Sequence, residues 1–454
     1  MTTFEPFSFG TDGLRGRAGE APIDPETLRR VGAALGVLLQ ARQGKGSQQR
    51  VLIGNDGRES APWILDCLVQ GLMGAEVSAA DVGLVTTPAL ALLVRHGTYA
   101  AGIMISASHN PAHDNGIKIF SGDGSKLPDD DERQIELLAA ELRPEKTKQP
   151  RVRREAELLR SYQDLLAVRF PDLDLSGRTV CIDAANGGGS ELAPGILRAF
   201  GAEVVEVGCE SDGFNINDGV GALHPKNLAP LVIEHGACLG ICLDGDGDRG
   251  IFVDERGDVL DGDHVLTFFG SRMLQAGSLP SGKVAATVMS NLGMHRALER
   301  AGVGVHTTPV GDRHVVAAMR EHGYALGGEQ SGHTLFAEHE LVGDGLYTGL
   351  AILQALGRTP ASEAFAAFES YPQQLINVMV RDKPDLSTVP AVAEMAKRIE
   401  HELGSEGRLL LRYSGTEPKC RVMIEAKDAA VCERLCQELA DCIQRELGEQ
   451  EPGT

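Results

Sequence analysis

Several things are scarce in this chain, and each shortage removes a class of function. Positive charge is one: 43 Lys and Arg stand against 64 Asp and Glu, a formal charge of −21. A chain this acidic is a poor general binder of nucleic acid or of anionic membrane, so neither is expected as a partner. Any anionic ligand must be held by local arginines, lysines and backbone amides. Long apolar runs are missing too. The nearest approach, "LAPLVIEHGACLGICL", is broken by Glu234 and His235, whereas a membrane span needs ~20 apolar residues. The nine cysteines contain no Cys-x-x-Cys pair. Cys432, Cys436 and Cys442 fall on the apolar side of a helical pattern, as small core residues of a reduced protein. The opening "MTTFEPFSFG" has neither the basic nor the apolar region of a signal peptide. Together these absences point to the cytoplasm.

Familiar nucleotide and metal motifs are absent in all but lettering. There is no G-x-S-x-G elbow. "GDGDRG", Gly245 to Gly250, matches a dinucleotide fingerprint, but three aspartates would repel a pyrophosphate and a strand follows where a helix is required. The same stretch fails as an EF-hand loop, because Arg249 stands where glycine must turn the chain and strands flank it. "GSLPSGKV" lacks the final Ser or Thr of a P-loop.

What is present is a repeat. The 454 residues suit three or four domains of ~100–150 residues. Three segments begin with a β-branched run, break at a polar or glycine-rich turn and continue as an amphipathic helix: "VLIGNDGRESAPWILDCLVQGL", "TVCIDAANGGGSELAPGILRAF" and "VAATVMSNLGMHRALERA". Each is followed by a second strand, "GAEVSAADVG", "GAEVVEVG" or "GVGVHTTPVG", and by a third, "AAGIMISASHNP", "ACLGICLDGDGDR" or "YALGGEQSGH". Two of the three continue into a matching fourth run, "NGIKIFSGDG" and "RGIFVDERGD". The expected fold is therefore α/β: three similar βαβ-type domains with mixed, mostly parallel sheets, and a smaller C-terminal α+β domain. Expected spans are 1–154, 155–260, 261–371 and 372–454. The motifs Ser106–Pro111, Asp244–Arg249 and Gly328–His333 all follow a third strand. Ligands of open α/β sheets bind at such strand ends, so three domains can aim three loops at one cleft.

Four loops carry candidate chemistry. In "DGDGDR" the carboxylates of Asp244, Asp246 and Asp248 repel one another unless something cationic sits among them. Hard oxygen donors suit Mg²⁺, and the competing reading is a solvated acidic turn. "RYSGTEPKCR" joins Arg412 and Arg421 to Ser414, Gly415 and Thr416, the parts of a phosphate cradle, or of a surface hairpin. "GEQSGH" offers Glu329 and Ser331 for sugar hydroxyls and His333 as an acid or base, against a structural turn. "FGTDGLRG" places Arg15 in another glycine-rich loop. These leave one role open, a carrier for the phosphate. Ser108, at a strand end and followed by His109, fits it, and is otherwise an ordinary turn serine.

With all four loops in order along essentially the whole chain, the sequence resembles the α-D-phosphohexomutase family. Ser106 in "ISASHNP" and Gln330 in "GEQSGH", with "TVMSNLG" and "VGDRHV", follow the wording of its bacterial glucosamine branch. Val220 stands where many relatives have cysteine. The resemblance implies four domains around a cleft and an activating phosphoserine at Ser108. It implies one Mg²⁺ held by Asp244, Asp246, Asp248 and a Ser108 phosphate oxygen. It further implies substrate contacts from Glu329, Ser331, Arg412, Ser414, Gly415, Thr416 and Arg421, to which Arg15 and Arg249 are added here. The implied reaction interconverts glucosamine 6-phosphate and glucosamine 1-phosphate through a 1,6-bisphosphate, with His109, Lys118 and His333 as candidate acid–base or charge-stabilising groups. Ser106 and Gln330 are read as tuning the cleft around the sugar. A mutase for glucose or mannose phosphates, a phosphosugar-binding regulator and a phosphatase are the alternatives. A homodimer is the family expectation.

Overall fold

The computed structural model describes residues 6–10, 12–43, 49–144, 152–414 and 418–448. Three sheets repeat one plan. In each, the first strand of the repeat lies between the second and the third, and the fourth lies beyond the third. The first sheet runs Ser78–Leu84, Arg50–Asn55, Ala101–Ile105, Asp114–Ser121, with Leu14–Arg17 added outside the fourth strand and Arg153–Arg154 outside the second. The second runs Glu203–Val207, Thr179–Asp183, Leu239–Leu243, Gly250–Val253, then Val259–Leu260. The third runs Gly304–Thr308, Lys283–Thr287, Leu326–Gly328, Thr334–Phe336. First and third strands pair parallel and third and fourth antiparallel, so the sheets are mixed.

The third strands explain where the chemistry sits. Ala101–Ile105 and Leu239–Leu243 are buried along their whole length. Such continuous apolar runs are what covering a sheet on both faces demands. The chain can turn polar only after it leaves the core, so Ser108 and Asp244 appear at strand ends. The expectation that only two repeats continue into a fourth run is corrected here: Thr334–Phe336 pairs antiparallel with Leu326–Gly328 in the third. It is three residues long, too short to show alternation behind the Ser-Gly-His turn.

Contacts divide the chain into two compact units, Met1–Val288 with Val305–Ala366, and Met289–Gly304 with Ala367–Thr454. The second unit has an antiparallel sheet with Lys419–Ala426 between Gln373–Met379 and Gly407–Tyr413. Helices Pro390–Leu403 and Ala429–Leu447 belong to it, and Val392, Ile399, Cys436 and Leu439 are buried in its core. Cys432 and Cys442 are buried there as well. The helix Leu292–Arg300 groups with this unit. The backbone N–H of Leu292 donates to Glu425 Oε2 at 2.9 Å, and Arg408 Nε donates to the same oxygen at 2.7 Å. Gly407–Tyr413 escapes sequence reading because its leucine run shows neither alternation nor β-branching. The architecture is thus three α/β modules and a small C-terminal module. Among the described residues no helix is long and apolar enough to cross a membrane.

Candidate active site

Ser108 is one of the non-glycine residues held with positive φ. Its backbone has φ +51°, in the left-handed region that costs a non-glycine residue ~1–3 kcal/mol unless its surroundings enforce it. The enforcement is visible. Arg58, wholly buried in the turn after the first strand, donates from Nη2 to the carbonyls of Ser108 and Asn110, both at 2.9 Å. Its Nη1 donates to the carbonyls of Pro111 and, at 3.0 Å, Asp114. From the second module, Asn217 Nδ2 donates to the same Ser108 and Asn110 carbonyls at 2.9 and 3.1 Å. Asp56 completes the brace by accepting from Arg58 Nε at 3.0 Å and from Ser106 Oγ at 2.6 Å. Ser106 Oγ in turn accepts the Ser108 N–H at 2.8 Å. Ser106 is therefore a fully buried strut of the loop, not a group that tunes the sugar cleft.

The serine is aimed at the acidic loop. Ser108 Oγ donates to Asp244 Oδ2 at 2.7 Å, and lies 3.2 Å from His109 Nδ1. Asp244, Asp246 and Asp248 are buried, and one oxygen from each lies within 4.8 Å of the others. Glycine is required between them: a Cβ on Gly245 would come within 2.6 Å of the Ser108 carbonyl oxygen, and Gly247 has φ +72°. The "solvated acidic turn" is excluded by this burial. Asp246 Oδ1 and Asp248 Oδ1 are buried without a hydrogen-bond partner. Buried carboxylate oxygens with no close donor are open to a ligated cation, so the donor set fits a hard divalent ion.

Lys118 supplies one positive charge to the cluster. Its Nζ lies 2.8 Å from Asp246 Oδ2 and 3.0 Å from both Asp248 Oδ2 and Asp12 Oδ2. Burial works against the ammonium, but Asp12, Asp246 and Asp248 outweigh it and hold Lys118 well above its ordinary value. Burial likewise raises Asp248, yet Lys118, His333 and Arg249 keep it ionised, well below the usual carboxylate range. Asp244 goes the other way: burial, then its neighbours Asp248 and Asp246, push it well up. His109 is brought down to about 4 by burial and by Arg249 and Arg15, whereas Asp248, Asp312 and Glu329 overcome burial to raise His333. Of the three candidate acid–base groups, Lys118 is thus held as the ammonium, His333 is raised and His109 is lowered.

The remaining predicted residues are placed as follows. Arg15 lies in the strand Leu14–Arg17, opposite Gly116, and not in a loop; its guanidinium meets Asp12 and, at 3.4 Å, the Ala107 carbonyl. Arg249 is largely buried beside Asp248 and Asp244, which raise it against the cost of burial. Glu329 Oε1 accepts the Gly311 N–H at 3.0 Å, and Ser331 is exposed at the turn before buried His333. All these residues belong to the first unit. In the second unit Arg412 and Arg421 of the "RYSGTEPKCR" stretch are strand residues directly opposite one another, on Gly407–Tyr413 and Lys419–Ala426. Burial, and then Arg421, lower Arg412. Ser414 is buried and its N–H donates to the Lys419 carbonyl at 2.8 Å. Gly415 and Thr416 lie outside the described residues.

Sequence reasoning missed Asp12, Arg58, Thr87 and Asn217. Thr87 Oγ1 donates to Asp246 Oδ2 at 2.5 Å. The available signal was position: "NDGR" follows a first strand, and the asparagine-rich "NINDGVG" announces left-handed backbone, which Asn217 adopts with φ +60°.

Comparison with known proteins bears on the whole chain. Residues 6–146, 160–257 and 261–371 match the phosphoglucomutase/phosphomannomutase alpha/beta/alpha domains I, II and III, and 375–442 match the C-terminal domain. The phosphoglucosamine mutase of Myxococcus xanthus is 43% identical over 447 residues, 97% of each chain. That of Solibacter usitatus is 43% identical over 445 residues, 97% of this chain and 99% of the other. Among solved structures, a phosphoglucomutase/phosphomannomutase family protein from Burkholderia thailandensis superposes with a TM-score of 0.78 at 24% identity, over 96% and 97% of the chains. The N-acetylphosphoglucosamine mutase of Aspergillus fumigatus, solved with GlcNAc-6P and magnesium, gives 0.66 at 19% identity over 97% and 96%.

Proposed function

The chain belongs to the phosphoglucomutase/phosphomannomutase family, and from that premise we propose that it is an isomerase interconverting glucosamine 6-phosphate and glucosamine 1-phosphate. The observation that carries the chemistry is the 2.7 Å hydrogen bond from Ser108 Oγ to Asp244 in a buried three-carboxylate cluster. A hydroxyl fixed there is placed to carry a phosphoryl group. The choice of glucosamine is supported by the relatives named phosphoglucosamine mutase at about 43% identity over nearly the full chain. The product would feed amino-sugar nucleotide synthesis in the cytoplasm.

In the proposed cycle the P–O bond to Ser108 Oγ breaks as one forms to the sugar O1; the O1 proton passes to a base, and the departing Ser108 Oγ takes up a proton. The 1,6-bisphosphate reorients, and its 6-phosphoryl group returns to Ser108 Oγ, which gives up its proton to a base while O6 takes one up. Asp244, Asp246 and Asp248, with an oxygen of phosphorylated Ser108, would hold Mg²⁺, which when bound supplies positive charge opposite the phosphoryl oxygens. Little covalent work falls to the protein in such a transfer; it positions and neutralises. Arg58, Asn217 and Ser106 hold the carrier loop. Lys118 presents positive charge, His333 stands between Asp248 and Asp312, and neutral His109 is the group beside Ser108 Oγ able to accept a proton. Glu329 and Ser331 are assigned to sugar hydroxyls, Arg15 and Arg249 to substrate near Ser108, and Arg412, Ser414, Gly415, Thr416 and Arg421 to the non-reacting phosphate. This divides the chain into a phosphoserine module (1–154), a metal module (155–260), a sugar module (261–371) and a phosphate module (372–454).

The test is a coupled assay of glucosamine, glucose and mannose 6-phosphates. The proposal expects kcat/KM to favour glucosamine 6-phosphate by at least about tenfold, which needs only ~1.4 kcal/mol of differential transition-state binding. Equal or better turnover of glucose or mannose phosphate would move the assignment to that mutase and leave the carrier loop untouched.

A further inference from the structure

Lys118 and His333 come from different modules, and a chain of alternating basic and acidic side chains joins them. Lys118 Nζ meets Asp12 Oδ2 at 3.0 Å. The other oxygen of Asp12 meets Lys126 Nζ at 2.6 Å. Lys126 also meets Asp312 Oδ2 at 2.6 Å, and that oxygen lies 3.9 Å from His333 Nε2. The opposite ring nitrogen of His333 lies 3.9 Å from Asp248 Oδ1, and Asp248 returns to Lys118 at 3.0 Å. The path closes on itself: Asp248, Lys118, Asp12, Lys126, Asp312, His333. It crosses the serine, metal and sugar modules, all within the first compact unit.

We infer that Lys126, bridging Asp12 and Asp312, is a positioning residue that sets Lys118 and His333 jointly for phosphoryl transfer. This rests on the mutase reading. Lys118 has three carboxylate partners here, and two of them, Asp246 and Asp248, are residues that would also hold a divalent cation through their other oxygens. Asp12 is the partner outside that cluster, and it is itself held by Lys126. His333 stands in the same relation to Asp312. Arg15 also meets Asp12, but Lys126 is the ammonium that touches the outer partner of both groups. Its side chain is about one-third exposed, so it is not a core residue whose truncation collapses the fold. It lines a cavity of about 240 Å³ together with Leu127, Val316 and Val342, so a shorter or uncharged side chain can be accommodated.

The experiment compares Lys126→Met and Lys126→Arg with the unaltered enzyme. Lys126→Met should lower kcat at least about tenfold, as expected when an electrostatic support of the transition state is lost, while KM moves less than about threefold. Lys126→Arg should recover most of the loss, because a guanidinium can bridge the same two carboxylates. Calorimetric titration of Lys126→Met with Mg²⁺ should give the affinity of the unaltered enzyme. A kcat within twofold of normal, an arginine variant no better than methionine, or a weakened Mg²⁺ affinity matching the kcat loss would each overturn the inference. Folding is checked by a second route, the pair Asp12→Asn and Asp312→Asn. If Lys126 couples them, the double variant is little worse than the worse single one, whereas losses that multiply refute the bridge. If the unaltered enzyme turns over none of the three hexose phosphates, the mutase reading fails first and takes the bridge with it; a normal enzyme with indifferent variants sinks the bridge alone.

Discussion

The Ser108 loop and the Arg412–Arg421 strand pair both depend on arginine, and they use it in opposite ways. Arg58 has no exposed surface, and neither does its partner Asp56. Its donors go to Asp56 and to the carbonyls of Ser108, Asn110, Pro111 and Asp114. Every contact is internal, so the charge is consumed in holding a strained serine. In the second unit, Arg412 and Arg421 face each other across the ladder, and Arg421 discourages the charge of Arg412. Like charges directly opposite weaken a sheet by ~0.2–1 kcal/mol. The first arrangement is complete without ligand. The second is one that an anion would relieve. On the proposed reading, the first set of residues shapes the carrier loop and the second holds substrate, and each half of that contrast can be attacked.

The hardest blow falls on the carrier itself. Ser108→Ala should lose at least about 10³-fold in mutase activity, since removal of a covalent carrier leaves only the surrounding electrostatics. Intact-mass analysis should find phosphate on the unaltered chain and none on the variant. Activity within tenfold of normal would dismiss Ser108 as carrier. Next comes the charge around it. Exhaustive chelation should abolish turnover and Mg²⁺ restore it, and Asp246→Asn should cost on the order of 10²-fold. Mg²⁺ should also raise the unfolding temperature of the unaltered protein, because a ligand bound only by the folded state stabilises it. Turnover that survives chelation would return the orphaned oxygens of Asp246 and Asp248 to the unexplained.

The brace behind the serine should fail structurally. Arg58→Leu leaves Asp56 buried without its guanidinium. Breaking a buried pair on one side costs ~3–5 kcal/mol, read as a lower urea midpoint for the first unit, with mutase activity falling alongside. Asn217→Ala removes only one donor to the Ser108 and Asn110 carbonyls, and should cost ~1–2 kcal/mol. A stability change in Arg58→Leu below that of Asn217→Ala would mean the loop is held by something other than this pair.

How far the sequence revealed the site follows from the same distinction. The repeat was legible because strands buried on both faces must be apolar throughout, and each can turn polar only at its end. That alone located Ser108, Asp244 and Glu329. The aspartates were legible because alternate carboxylates in a glycine turn have few reasons to coexist. Arg58 was not, because nothing in "NDGRES" distinguishes a buried guanidinium from an exposed one. Its partners are carbonyls 50 and 52 residues away, and backbone acceptors leave no mark in sequence. Lys126 and Asp312 were invisible for the same reason: their meeting depends on how the first and third modules pack. Ser106 was seen but misplaced, since wording shared with one branch of a family says that a residue matters without saying whether it faces ligand or core.

The smallest expected effect is the sharpest test of the comparison, because it concerns a sign. Arg412→Gln removes one of two facing cations. If the paired arginines hold the sheet as Arg58 holds its loop, the second unit should lose stability. If they are set against each other in readiness for an anion, stability should be unchanged or rise by up to ~0.5 kcal/mol, within the range of a relieved cross-strand repulsion. Added salt should close the gap between the two proteins, since screening weakens repulsion between partly exposed charges. Over the same substitution KM for the sugar phosphate should rise about tenfold, as a charged contact to a phosphate is lost, with kcat falling less. Urea unfolding of the two proteins at low and high salt, beside their steady-state constants, reads both quantities. A variant less stable by more than 1 kcal/mol with unaltered KM would place Arg412 with Arg58, as a structural residue, and leave the phosphate to be held by other groups.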